Sequence, residues 1–315
     1  MTRVFTFIGV STADSSIMHV FPRWRQALGL GDDVEMDGWD LPLGASRLSY
    51  RAAVERLAGD AANLGALVTT HKLGIMEAAE SLFDELDDDA RLLGEISCIS
   101  KREGRLLGSA KDPRTAAGAL ESILADNHFT AGGEAFVMGA GGAGIAIALY
   151  LADRRPDRPK RIILSDTRAD RLHDAKRVLA AVSAGASVEW VVNESPGTHE
   201  RVLSQLPVGS LVVNATGLGK DRPGSPLRDG TLFPRNSVTW ELNYRGELGF
   251  LRQAEAQRAQ RELTVADGWE YFIRGWAAVI EDVFDREVTD EDLALLAGEA
   301  EVVRESKIGT EGGSM

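Results

Sequence analysis

The chain has 315 residues, 44% of them apolar and 26% charged, and carries a formal net charge of −13. That length exceeds one ordinary core and suits two domains, with enough apolar material to fold without disulfides or metals. The acidic balance argues against nucleic acid as a partner, because the nearest basic run, "RRPDRPKR", is broken by prolines.

From the amino terminus, "RVFTFIG" (3–9) reads as a strand, and the apolar stretch around it is too short for a signal peptide. "SSIMHVFPRWRQALGL" follows as a helix, "VEMDGW" as a strand, "SYRAAVERLAGDAANL" as a helix and "ALVT" as a strand. The helical "LGIMEAAESLFDEL" and the strands "EISCIS" and "RLLGS" complete this half. Short β-rich runs between helical patterns of this length predict βαβ units and a largely parallel sheet. The single cysteine, Cys98, cannot form an intramolecular disulfide; in its apolar run it reads as a buried thiol, which suits a reducing cytoplasm.

A second series begins near residue 113 with the helical "RTAAGALESILADN". Its strands are "EAFVMGA", "RIILSD", "SVEWVV", "SLVVNAT", "SVTWEL" and "LTVAD", the count of a doubly wound dinucleotide-binding sheet. The apolar "GIAIALYLA" within it is far short of the roughly 20 residues that span a bilayer, so no membrane partner is expected. After Asp267, Trp269, Phe272, Ile273, Trp276, Ile280, Val283 and Phe284 recur at helical spacing, and Thr289 with Asp292 reads as the cap of a last helix. These helices are expected to return to the first domain, and the tail "GTEGGSM" to lack order. The predicted division is 1–112 plus 268–315 as an α/β substrate domain and 113–267 as a doubly wound Rossmann domain.

"EAFVMGAGGAGIAIALYLA" places Gly139, Gly141 and Gly144 in the spacing G-x-G-x-x-G between a strand and a helix. There it asks for a tight turn, close approach of backbone to a pyrophosphate, and free N–H groups at a helix start. The loop Gly139, Gly141, Gly142, Ala143 and Gly144 is therefore a candidate coenzyme cradle. The next strand ends at Asp166, twenty-two residues beyond Gly144, near the offset at which an acid takes the ribose hydroxyls. An acid there favours NAD over NADP, and Arg168 just beyond it tempers that preference. The alternative for Asp166 is a turn residue capping the next helix.

The stretch "GALVTTHKLG" (65–74) sets Lys72 directly after an apolar run. Alone it reads as a solvated charge, the usual place of a lysine. The whole chain, however, resembles the shikimate/quinate dehydrogenase family: "GALVTTHK" is similar to G-x-N-V-T-x-P-x-K, "GSAKD" to G-x-N-T-D, "GAGGAG" to G-A-G-G-A, "LVVNATGLGK" to N-A-T-P-x-G-M, and "ELNY" to D-x-x-Y. The resemblance implies that Lys72 is the catalytic lysine and Asp112 its paired aspartate, that Asn214, Ala215 and Thr216 belong to the coenzyme site, and that the substrate is a small hydroxylated ring. Oxidising a secondary alcohol removes a hydride and a proton, and a partly desolvated lysine is suited to the proton. For Asp112, an ordinary turn acid before a proline is the competing reading.

The substrate positions depart from the family pattern. Ala13 and Ser15 stand where its two amino-terminal serines fall, and Ser16 replaces the proline; Leu67 and Ser97 replace asparagines, and Gly275 a glutamine. Thr69, Tyr244 and Ser15 persist as substrate contacts, with Ser97 and Gly275 marking altered ones. His19 and His71 read as packing or surface residues, and Trp269 and Trp276 as core. The expected activity is that of an NAD(P)-dependent dehydrogenase acting on a secondary ring alcohol or the matching ketone, not on shikimate in the usual way. It is expected to work as a monomer or homodimer without a metal. A non-catalytic nucleotide or ligand sensor derived from this fold is the alternative. A folate-linked methylene dehydrogenase also uses a lysine but fits "NATGLGK" and "ELNY" less well.

Overall fold

The computed structural model describes residues 2–182, 187–220 and 222–311, and the chain divides into two compact units, Met1–Lys111 with Ile273–Met315, and Asp112–Phe272. The first unit is built on a sheet of order β2-β1-β3-β5-β6-β4: β1 (Arg3–Gly9), β2 (Val34–Asp40), β3 (Asn63–Val68), β4 (Glu85–Leu86), β5 (Cys98–Arg102) and β6 (Arg105–Ser109). Between the strands run α1 (Ile17–Ala27), α2 (Arg47–Gly59), α3 (Lys72–Ala79) and α4 (Asp88–Leu93).

Alternation along β1 assigns its side chains to two cores. Ile8 joins Val54 and Leu57 of α2, Val68 of β3 and Ile75 of α3 on one face. Phe5 and Phe7 belong to the other: Phe5 meets Phe21 of α1 at 5.5 Å, and both meet Trp276 edge-on, at 5.9 and 5.2 Å. Trp276 lies on α11 (Trp269–Val283), and α12 (Asp290–Glu311) follows it, capped reciprocally by Thr289 and Asp292 as expected. Trp24 of α1 donates its indole N–H to Leu296 O at 2.8 Å, and Arg286 reaches Leu28 O at 2.6 Å, so the C-terminal helices return to the first unit.

One expectation for this unit holds and one is corrected. The sheet is largely parallel, as expected, with β1–β2, β1–β3 and β4–β6 parallel, and departs from that only at β5, which pairs antiparallel with both β3 and β6. The β5–β6 connection is a tight turn in which Glu103 and Gly104 both have positive φ (51° and 78°), and so short a link permits only antiparallel neighbours. The helix expected over "LGIMEAAESLFDEL" stops at Ala79. Beyond it, Asp84 exchanges hydrogen bonds with Leu106 on β6 (2.9 Å from its N–H, 2.7 Å to its carboxylate), and Phe83 and Leu86 pack on the α2–α3 core. Pairing at the sheet edge outweighs helix propensity there.

The second unit opens with α5 (Asp112–Ile123) and holds an all-parallel sheet of order β12-β11-β10-β7-β8-β9, the doubly wound arrangement predicted. Its strands are β7 (Ala135–Met138), β8 (Arg161–Asp166), β9 (Ser187–Val192), β10 (Leu211–Asn214), β11 (Val238–Glu241) and β12 (Thr264–Ala266). Between them lie α6 (Gly142–Leu149), α7 (Ala169–Ala180), α8 (Thr198–Gln205), α9 (Gly249–Glu255) and α10 (Arg258–Arg261). Every residue of β7, β10 and β11 is buried, as parallel strands covered on both faces require. Of the tail expected to lack order, 309–311 end α12 and 312–315 lie outside the described residues. Among the described residues no helix is long and apolar enough to cross a membrane.

Candidate functional site

The glycine loop follows β7. Gly139 has φ +102°, and a Cβ there would sit 2.5 Å from Ala215 O; a Cβ on Gly144 would sit 1.9 Å from Gly139 O. Both positions are closed to any side chain by backbone. Gly141, the residue before α6, is different: a Cβ would meet nothing within 4 Å. Two glycines thus hold the turn and pack the helix, while the middle one faces open space at a helix start whose first N–H groups lack intrahelical partners. That combination fits a pyrophosphate.

Asp166 ends β8 beside this loop. Its carboxylate accepts from Ala140 N–H at 2.8 Å and from Arg168 N–H at 2.9 Å, so it fixes the loop as well as offering its charge. Arg168 is exposed and pairs with Asp170, which holds the Asp170 carboxyl below the usual carboxylate range.

Of the loop after β10, Ala215 and Thr216 are half-buried, whereas Asn214 is fully buried and spends its side chain on the protein. Its oxygen accepts from Thr216 N–H (3.1 Å) and Oγ1 (2.7 Å); its amide donates to Glu241 Oε2 (2.7 Å) and Leu218 O (3.3 Å). Glu241 Oε1 accepts from Asn243 N–H at 2.9 Å, and the Asn243 amide also reaches Leu218 O, at 2.9 Å. Burial pushes the Glu241 carboxyl up to about 7. The Asn214 side chain is thus engaged by Thr216, Glu241 and Leu218. Glu241 and Asn243 were not among the sequence candidates; the acid of "ELNY" was their only signal. Beyond them Tyr244, half-buried, packs on Phe272 (4.7 Å) and Trp269 (5.4 Å), with Lys220 Nζ 5.7 Å over its ring.

In the first unit the candidate substrate residues gather at the ends of β1 and β3. Lys72 is the first residue of α3 and half-buried; Thr69, half-buried, lies just beyond β3 with its hydroxyl 3.5 Å from Ile8 O. Preceding Lys72, His71 is buried with both ring nitrogens engaged, Nε2 donating to Leu41 O at 3.0 Å and Nδ1 accepting from Tyr50 Oη at 3.1 Å. It is a packing residue that pins the start of α3. Ser15 is buried in the turn before α1, and that turn is tied to β2 by Thr12, whose N–H and hydroxyl meet Asp40 Oδ1 at 2.8 and 2.6 Å. His19 is exposed.

Leu67, at the family's asparagine position, is paired between Phe7 on β1 and Cys98 on β5, so its surroundings in the sheet are apolar. The Cys98 thiol is wholly buried and pushed up to about 12, which makes it inert at neutral pH. Ser97, also buried, accepts from Lys111 N–H at 2.7 Å, so it anchors the end of the linker that leads to Asp112. Lys111 itself pairs with Asp282 of α11 at 2.6 Å. Asp112 is buried and opens the second unit, and Gly275 is half-buried on α11. Among the described residues no group of three His, Cys, Asp or Glu side chains could hold a metal.

No family model matches the chain. It is 32% identical over 227 residues to the shikimate dehydrogenase (NADP+) of Symbiobacterium thermophilum, covering 71% of this chain and 72% of the relative. To that of Thermus thermophilus it is 30% identical over 254 residues, 77% of this chain and 78% of the relative. The chain belongs to the shikimate/quinate dehydrogenase family. It is accordingly an NAD(P)-dependent oxidoreductase of the class that acts on a CH–OH group. In other family matches, such as that from Lactococcus lactis, the aligned part is 60% of the relative's length. A solved structure of the family, quinate dehydrogenase from Corynebacterium glutamicum in complex with NAD, shares the fold with a TM-score of 0.70 over 95% of this chain and 98% of that one, at 19% identity.

Proposed function

We propose that the chain is a dehydrogenase that prefers NAD to NADP and moves a hydride between the nicotinamide and a secondary alcohol or ketone on a hydroxylated ring other than shikimate. The observation that carries the coenzyme preference is Asp166, whose carboxylate is held at the end of β8 by two backbone N–H groups at 2.8 and 2.9 Å. A fixed negative charge there accepts hydrogen bonds from ribose hydroxyls and repels a 2′-phosphate. Arg168, the cation that would soften that repulsion, is committed to Asp170.

In this reading Met1–Lys111 with the C-terminal helices is the substrate domain and Asp112–Phe272 the coenzyme domain. The nicotinamide, when bound, takes or gives the hydride. Lys72 exchanges the alcohol proton and Ser15 and Thr69 hold the ring, while Asp112 and Tyr244 are the further residues that the family resemblance assigns to catalysis and substrate binding. Lys72 suits its part because, half-buried at the start of α3, it carries an amine that can give or take a proton. Shikimate is disfavoured because Leu67 offers no hydrogen bond, and a hydroxyl left unpaired on an apolar surface costs about 1–3 kcal/mol. Together with the altered Ser97 and Gly275 positions, this favours a ring with fewer or differently placed hydroxyls.

A panel of cyclic polyols and hydroxy acids, assayed with NAD and NADP, identifies the substrate, and fluorescence titration with NADH and NADPH tests the coenzyme reading without one. NADH should bind at least about tenfold more tightly, and Asp166→Asn should narrow the gap, a tenfold change being about 1.4 kcal/mol. Equal affinities in the wild type would overturn the NAD preference.

A further inference from the structure

In the second unit a cavity of about 360 Å³ lies between the segment after β9 (193–200) and the segment 225–228. It adjoins the residue assigned to the ribose, since Asn193, in its lining, donates its N–H to Asp166 O at 2.8 Å. His199, buried in the first turn of α8, ties the two walls to each other and to β8: Nδ1 donates to Pro226 O at 3.0 Å, and Nε2 meets Ser165 Oγ at 3.0 Å. Ser165 is the residue before Asp166, and its carbonyl accepts from Gly139 N–H at 2.7 Å. Direct hydrogen bonds therefore connect this cavity to the glycine loop and to Asp166, yet no residue of its lining has a part in the reading above.

The lining has what a planar base requires. Arg228 is exposed, with its backbone N–H held by Glu200 Oε1 at 2.9 Å, and its guanidinium lies close to Gly197, where a Cβ would come within 3.4 Å of Nη2 and 3.8 Å of Cζ. A flat, delocalised cation stacks well on a purine face. Asn193 carries a donor and an acceptor side by side on its amide, the pair that matches the N6 and N7 edge of adenine. Glu194 and Glu200 also line the cavity, and two carboxylates disfavour a phosphate there while tolerating an uncharged ring.

We infer that this cavity takes the adenine of the dinucleotide, and that Arg228 is a specificity-determining residue that stacks on the base while Asn193 reads its edge. The inference rests on the coenzyme reading above: a ribose held at Asp166 carries its base directly, and Asn193 is one hydrogen bond from that residue.

The test is calorimetric titration of the full chain with NADH, with ADP-ribose, which keeps the adenine, and with reduced nicotinamide mononucleotide, which lacks it. Arg228→Ala should raise the dissociation constants of NADH and ADP-ribose at least about fivefold, the loss of one stacking partner, and leave that of the mononucleotide within about twofold. Asn193→Ala should weaken the same two ligands. Arg228→Lys, which keeps the charge without the plane, should bind as Arg228→Ala does. Melting curves check that each variant is folded. Wild-type affinity in Arg228→Lys would mean an ion pair to a phosphate and overturn the stacking assignment, as would an equal loss of mononucleotide binding in Arg228→Ala. Unaltered ADP-ribose affinity in Arg228→Ala overturns the inference while leaving the coenzyme reading intact. Failure of both NADH and ADP-ribose to bind the wild type overturns both.

Discussion

A carboxyl without access to water makes its own prediction for stability. Glu241 is raised from 4.5 to about 7, so between those values the folded protein holds a proton that the unfolded chain has released. Its contribution is at its best below 4.5 and is lost as pH rises through 7, a swing of order 3 kcal/mol. The melting temperature of the wild type, measured from pH 4.5 to 8, should therefore fall relative to that of Glu241→Gln; parallel curves would contradict the assigned burial. Residues of this kind are poorly legible in a sequence. Nothing in "ELNY" distinguishes a buried acid from a solvated one, because its burial comes from its place at the end of β11, an interior strand of the second sheet whose residues are all buried. Ser97 shows the same limit: a small polar residue in a strand reads equally as a ligand contact or as the acceptor for Lys111 N–H that it is.

At the scale of elements, the glycine loop separates structural from ligand-facing positions. Gly144→Ala forces a Cβ to 1.9 Å from Gly139 O, and the backbone must move. The variant should lose several kcal/mol of stability, about the cost of a severe overpacking. Gly141→Ala meets nothing within 4 Å and should melt like the wild type, yet bind NADH at least about tenfold more weakly by filling the space a pyrophosphate needs. Calorimetry and NADH titration of both variants check this; equal melting, or unaltered affinity in Gly141→Ala, would count against the cradle. The loop was legible because G-x-G-x-x-G sat between a clear strand and a clear helix. The segment 80–86 was not, since its helical composition is overruled by pairing with β6, a partner distant in sequence.

For the whole molecule, composition and alternation sufficed for two α/β units and for the parallel sheet of the second, whose strands are apolar throughout because both faces are covered. The antiparallel place of β5 in the first sheet was less legible: it turns on Glu103 and Gly104, two residues in the left-handed region that reverse the chain. Membership of the shikimate/quinate dehydrogenase family accounts for the order of the motifs; in the proposed function, Leu67 and Gly275 are the positions at which the substrate contacts differ. The division of labour proposed here assigns proton transfer to Lys72 and hydride transfer to the nicotinamide. Its most direct test is turnover of the best ring alcohol from the substrate panel by wild type and Lys72→Ala, with NADH affinity measured in parallel. Loss of a general acid/base should lower kcat by about 10²–10⁴-fold while leaving NADH binding within about twofold. Turnover by Lys72→Ala at the wild-type rate would contradict the assignment.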